Sequence, residues 1–235
     1  MRRDYRKAHS TALGRDMELL VFGDRGTPVI VFPTSMGRFY QWEDFGMVAH
    51  LADRIDAGLL QLWCVDSVDC ESFYNKAIPG QERARRHLAY DRYLTDELLP
   101  VVRQENAAPD VELLGASFGA FHAADLAARH PGITRRVVGL SGAYDAARWL
   151  DGQREHDAYF VNPLAFLPEL TDAGQLRDLR ATEFCIATGA EDPNVADSDR
   201  LVATLQQKGV RASLHLWDGW AHDWPYWKEM VDTFV

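Results

Sequence analysis

Short apolar runs recur along the chain, separated by longer stretches with apolar residues at helical spacing. Val29-Ile30-Val31-Phe32, bounded by Pro28 and Pro33, reads as a buried parallel strand. Further strands are predicted at Leu60–Val65, Val111–Leu114, Arg136–Ser141, Thr182–Ala187 and Ala212–Trp217. A hairpin is expected from about 5 to 22, with Gly14-Arg15-Asp16 as its turn and Leu19–Phe22 as its apolar strand. Helices are expected near 43–57, over 81–104, directly after Ser117, at about 195–208 before Gly209, and at the aromatic end of the chain. Alternating strands and helices imply an α/β fold: a mostly parallel sheet covered on both faces, edged by the antiparallel hairpin. Residues 1–235 read as one domain without repeats or linkers. One connection is long, about 143–180, and carries Tyr144, Trp149, Tyr159, Phe160, Phe166 and Leu167. It is either a cap over a site or a helix pair that covers the sheet.

The most informative segment is Gly115-Ala116-Ser117-Phe118-Gly119. A strand precedes it, and an amphipathic stretch with Phe121, Ala124, Leu126 and Ala127 follows it as far as Pro131-Gly132. A serine at the apex of a strand–turn–helix is a nucleophile elbow, and the context carries more weight than the five letters. The turn strains the serine backbone and brings neighbouring chains close, so glycines flank it. The helix start aims unpaired N–H groups at the reacting centre.

A serine hydroxyl needs a base, and the base needs an acid that fixes its tautomer. On such a sheet the chain order is serine, acid, histidine. Asp192 leaves the end of the Thr182–Ala187 strand in Gly189-Ala190-Glu191-Asp192-Pro193, with Glu191 as the local competitor. The Asp-Pro pair favours Asp192, because it sets a turn directly after the strand. Of eight histidines, only His222 lies in the loop after the last strand. His215 falls within that strand, and His122 and His130 fall on the elbow helix. Ser117, Asp192 and His222 thus share the strand C-terminal ends, where open α/β sheets bind ligands.

Negative charge developing on a substrate oxygen needs two N–H donors. The backbone N–H of Phe118 supplies one, and the loop Pro33–Tyr40 supplies the other, with Ser35 preferred and Met36 as fallback. Phe39, Tyr40 and Trp224 are expected to contact substrate, whereas Trp42 and Trp220 are expected to pack. Asp66, Ser67 and Asn75 follow another strand end and either touch substrate or satisfy loop backbone.

Composition narrows the field. Hydrophobic residues make up 47% and charged residues 26%, as in an ordinary soluble domain. A formal net charge of −10 without a basic stripe argues against nucleic-acid binding. Arg83, Arg85 and Arg86 read as a solvated helix face. Three cysteines without a C-x-x-C fit a reducing compartment, so the cytoplasm is expected. No apolar run reaches membrane-spanning length, so no membrane partner is expected. Metal-ligand spacings are absent, so neither metal nor cofactor is expected. The expected partner is a small-molecule ester, and a homo-oligomer stays open.

The segments FPTSMGRFYQWEDFGM, CVDSVDCESFYNKAI, LGASFGAFHA and GWAHDW resemble those of the α/β-hydrolase superfamily. More narrowly, the whole chain is similar to its small bacterial esterases, relatives of esterase D and of the mycolyltransferase-like enzymes. The resemblance implies an acyl hydrolase with Ser117 as nucleophile, His222 as general base and then acid, and Asp192 as orienter. PTSMG replaces the HGGG of many lipases, which leaves the second oxyanion donor less defined than the triad. Two other readings share the scaffold: an acyltransferase on the same triad, and a non-catalytic binding protein.

Overall fold

The computed structural model describes residues 1–235. Eight strands pair into one sheet: β1 (Arg3–Ser10), β2 (Arg15–Phe22), β3 (Thr27–Phe32), β4 (Leu60–Val65), β5 (Glu112–Ala116), β6 (Arg136–Leu140), β7 (Glu183–Gly189) and β8 (Arg211–Trp217). Their order is β1-β2-β4-β3-β5-β6-β7-β8. β2 pairs antiparallel with β1 and β4, and all other pairings are parallel. This is the α/β-hydrolase sheet with its antiparallel hairpin at one edge.

The helices are α1 (Gln41–Asp44), α2 (Met47–His50), α3 (Ala52–Asp56), α4 (Gly80–Arg92), α5 (Leu99–Glu105), α6 (Phe118–Arg129), α7 (Asp157–Phe160), α8 (Pro163–Glu169), α9 (Ala173–Leu179), α10 (Val195–Gln207) and α11 (Trp224–Phe234). Successive strand residues face opposite sides. Ile30, Phe32, Leu113, Val137 and Ile186 enter one core with Tyr90, Val102, Ala124, Leu167 and Leu201 of α4, α5, α6, α8 and α10. Val29, Val31, Leu114, Val138 and Ala187 enter the other with Trp42, Met47, Ile55 and Trp227 of α1, α2, α3 and α11. Two covered faces explain why the central strands are apolar at consecutive positions.

Three local expectations shift. The first turn closes earlier than predicted, where the Gly14 N–H donates to Ser10 O at 2.8 Å. Arg15 and Asp16 therefore open β2 rather than sitting in the turn, and Asp16 pairs across with Lys7 and His9. The helix expected near 43–57 is three short pieces, α1 to α3, the first break falling where Gly46 takes a φ of 72° and the second at Leu51. The helix expected over 81–104 runs through α4 and α5, but Tyr93–Leu98 between them is a π-turn. The wider turn ends two residues before Pro100, which has no N–H to donate back along the helix.

Residues 143–180 hold a 3-10 turn (Ala146–Trp149) and α7 to α9. Ala146, Leu150, Ala158 and Val161 pack on Phe73, Phe118 and Phe121, so the segment lies over the start of α6. Arg148 ties it to the start of α10 through Asn194 at 3.0 Å and through Asp197. Buried Arg83 ties it to α4 through the Trp149 carbonyl and Asp151. Arg83 thus sits in the interior, not on the solvated face that the sequence suggested.

Candidate active site

Ser117 stands between β5 and α6 with φ 55° and ψ −122°. L-residues rarely adopt this region, and such strain persists only where surrounding structure holds it. Its own N–H is fixed to Leu140 O at 2.7 Å. The flanking glycines are required by contact. A Cβ on Gly115 would stand 2.1 Å from Gly119 O, and one on Gly119 would stand 2.5 Å from Pro33 O.

Two further loops meet the serine. The Ser117 hydroxyl donates to His222 Nε2 at 3.1 Å, and His222 Nδ1–H donates to Asp192 Oδ2 at 2.7 Å. Asp192 Oδ1 accepts the Asn194 N–H at 2.7 Å, which turns the carboxylate toward the imidazole. Burial by itself would raise the Asp192 pKa. The His222 bond, the Asn194 N–H and the charge of His222 outweigh it and hold the carboxyl below its ordinary value. Glu191 is exposed, and its N–H is used by Gly219 O at 2.9 Å.

The histidine loop is itself braced. Ala221 has φ 38° and Ser141, after β6, has φ 50°. Ser141 Oγ donates to Ala221 O at 2.9 Å and accepts Trp227 Nε1–H at 3.0 Å. Trp220 stacks on the His222 ring at 5.5 Å, and Trp227 meets it edge-on at 5.5 Å. No sequence signal singled out Ser141, because the contact joins residues 80 positions apart.

Around the proposed oxyanion donors, the Thr34 N–H goes to Gln41 Oε1 at 2.8 Å and the Met36 N–H to Asp69 Oδ2 at 2.9 Å. Ser35 lies between them with its N–H unpaired. The Met36 N–H is thus occupied, whereas that of Ser35 is not. The Phe118 N–H, at the open start of α6, is likewise unpaired.

The three aromatics expected at the substrate each pack beside other side chains. Phe39 packs on Tyr5 and Tyr40, and Tyr40 is exposed beside Arg38. Trp224 stacks on Phe45 at 4.6 Å and meets Trp42 edge-on. Trp42 packs as expected, its Nε1–H bonded to Phe32 O at 3.1 Å, whereas Trp220 is half-exposed against His222. The rings that flank the elbow are Tyr74, edge-on to Phe118 at 5.4 Å, and Trp149, at 4.7 Å. Asp66 is buried and bound by Arg38 and Arg15, and Ser67 Oγ donates to Gly37 O. Asn75 Oδ1 accepts the Ala77 N–H. All three thus serve the loops themselves.

A family model described as "Putative esterase" matches residues 10–233. No curated protein matches the chain. Among solved structures, a ferulic acid esterase superposes with a TM-score of 0.78 at 15% identity, covering 100% of this chain and 96% of its own. The S-formylglutathione hydrolase of Agrobacterium tumefaciens gives 0.72 at 14% identity, with 99% and 91% covered. MPT51 (FbpC1) of Mycobacterium tuberculosis gives 0.71 at 15% identity, with 99% and 96% covered. At these identities the superpositions speak for the fold, whereas the family match runs from the end of β1 to the last turn of α11. The chain belongs to this esterase family, within the α/β-hydrolase superfamily, and is an ester hydrolase.

Proposed function

We propose that the enzyme cleaves small-molecule carboxylic esters through an acyl-enzyme on Ser117. The observation that carries this is the continuous hydrogen-bonded line from Ser117 Oγ through His222 to Asp192, at 3.1 and 2.7 Å. His222 Nε2 takes the hydroxyl proton as Oγ attacks the ester carbonyl carbon. The carbonyl oxygen becomes an anion and accepts the N–H groups of Ser35 and Phe118. Losing one such donor costs about 3 kcal/mol of transition-state stabilisation. The imidazolium then protonates the leaving alkoxide, and the alcohol departs. Water attacks the acyl carbon, gives its proton to His222, and releases the acid as Ser117 regains its hydrogen.

The ionised Asp192 keeps the Nδ1 proton in place and stabilises the imidazolium. Cys64, Cys70 and Cys185 are all free thiols, which supports a cytoplasmic enzyme. The test is hydrolysis of p-nitrophenyl esters from acetate to long acyl chains. Turnover by the parent and none by a folded Ser117→Ala supports the acyl-enzyme. Retained turnover in the variant refutes it.

A further inference from the structure

The β4–α4 loop grips the proposed oxyanion donor and the residue that follows it. Asp69, fully buried, accepts the Met36 N–H on Oδ2 at 2.9 Å and His122 Nε2–H on Oδ1 at 2.8 Å. Tyr74, five residues on, donates its hydroxyl hydrogen to Ser35 Oγ at 2.7 Å. Two consecutive residues of the β3–α1 loop are therefore held by two side chains of one neighbouring loop. His122 carries the connection into α6, one turn beyond Phe118, and the Phe118 ring meets its imidazole edge-on at 4.9 Å. Tyr74 meets the same Phe118 ring edge-on at 5.4 Å.

This arrangement addresses a specific difficulty. An N–H aimed at empty space in an irregular loop finds a protein partner if the loop can relax. Ser35 keeps its N–H free only because its neighbours cannot turn. Met36 is held at φ 59°, an unfavourable region for a residue with a side chain. Asp69 accepts one donor on each carboxylate oxygen, whereas an amide there would turn its own NH2 toward one of the two donors. Asp69 therefore joins the loop that carries one donor to the helix that carries the other.

We propose that Asp69, His122 and Tyr74 are positioning residues that set the spacing and aim of the Ser35 and Phe118 N–H groups. The proposal rests on the acyl-enzyme reading. A second buried pair, His87 Nε2 with Asp125 Oδ2 at 3.0 Å, stacks its imidazole on His122 at 5.4 Å and makes no bond to the loop. It provides an internal control for damage to the buried network.

The experiment compares Tyr74→Phe, Asp69→Asn, Asp69→Ala and Asp125→Asn with the parent. It measures kcat and KM on one p-nitrophenyl ester and the Ki of an aryl trifluoromethyl ketone, whose serine adduct carries a tetrahedral oxyanion. Expected losses in kcat are about 5-fold for Tyr74→Phe, about 10-fold for Asp69→Asn and about 100-fold for Asp69→Ala, with KM within about twofold. The ketone Ki should rise in proportion to each loss, a readout that a merely structural role would not move. Asp125→Asn should leave kcat and Ki within about twofold. The proposal is overturned if Tyr74→Phe and Asp69→Asn keep parental kcat and Ki, if the losses fall on KM alone, or if Asp125→Asn loses as much. Should Asp69→Ala not fold, the two milder variants decide. Failure of the acyl-enzyme reading shows separately, as a parent that forms no ketone adduct or a Ser117→Ala variant that still turns over.

Discussion

Replacing Gly119 by alanine asks whether the close contacts of the elbow set the chemistry as well as the fold. The added Cβ would stand 2.5 Å from Pro33 O and 2.6 Å from Phe32 O. Reaching ordinary contact at 3.4 Å requires one side to retreat by about 0.9 Å. β3 is paired on both sides, so its carbonyls are poorly placed to move. The strain falls on the loop after Pro33 and on the first turn of α6, which carry the Ser35 and Phe118 N–H groups. A donor displaced by about 0.5–1 Å leaves the useful hydrogen-bond range. The expected loss is about 100- to 1000-fold in kcat, the effect of removing one oxyanion donor. Stability should fall by only about 1–2 kcal/mol, because overpacking is partly offset by alanine's better helix propensity. The assay pairs steady-state ester hydrolysis with urea unfolding. A variant as stable as the parent that keeps its full kcat would refute the argument.

Two further outcomes follow from the buried charges. Burial pushes the Asp125 carboxyl from 3.8 up to about 7, while burial first of all holds His87 opposite it well below its ordinary value. The folded state thus keeps a proton that the unfolded chain has released above pH 3.8, so this group's stability contribution declines as pH rises from 3.8 to about 7. Asp125→Asn, which cannot ionise, should gain on the parent by up to about 3 kcal/mol between pH 5 and pH 8.5. Urea unfolding at the two pH values measures this, and a constant difference would count against it. Asp192→Asn would present a donor to His222 Nδ1 and favour the wrong tautomer, lowering kcat by about 10³- to 10⁴-fold, while Glu191→Gln should stay within about twofold. Equal effects of the two substitutions on kcat would contradict the assignment of the acid.

The elbow was legible because its demands are local: an apolar strand, glycines where chains touch, and a helix start within a few residues of Ser117. Asp192 and His222 were legible as positions because each lies in the loop after its strand, and such loops share one end of a parallel sheet. The packing of the pocket aromatics was not. Phe39, Tyr40 and Trp224 lie near site loops in sequence, but their rings turn toward Tyr5, Arg38 and Phe45. Tyr74 and Trp149 come from two segments that meet only after folding. The Asp69–His122 bond joins residues 53 positions apart. Side-chain direction and long-range pairing are set by tertiary packing, which leaves no periodic trace in the chain.

The position of β3 bears on the order in which the molecule assembles. β1 and β2 meet across a short turn, and β3–β4, β5–β6 and β7–β8 each join neighbours in the chain. The seam between β3 and β5 is different. Val29 pairs with Glu112, which closes a loop of about 80 residues at a chain-entropy cost of about 4 kcal/mol. Local units can form before that cost is met, whereas the seam needs both halves already ordered. Gly119 wedges against Pro33 across this same seam. The nucleophile therefore gains its setting only when the two halves of the sheet join, so in this topology ester cleavage reports a late event of folding.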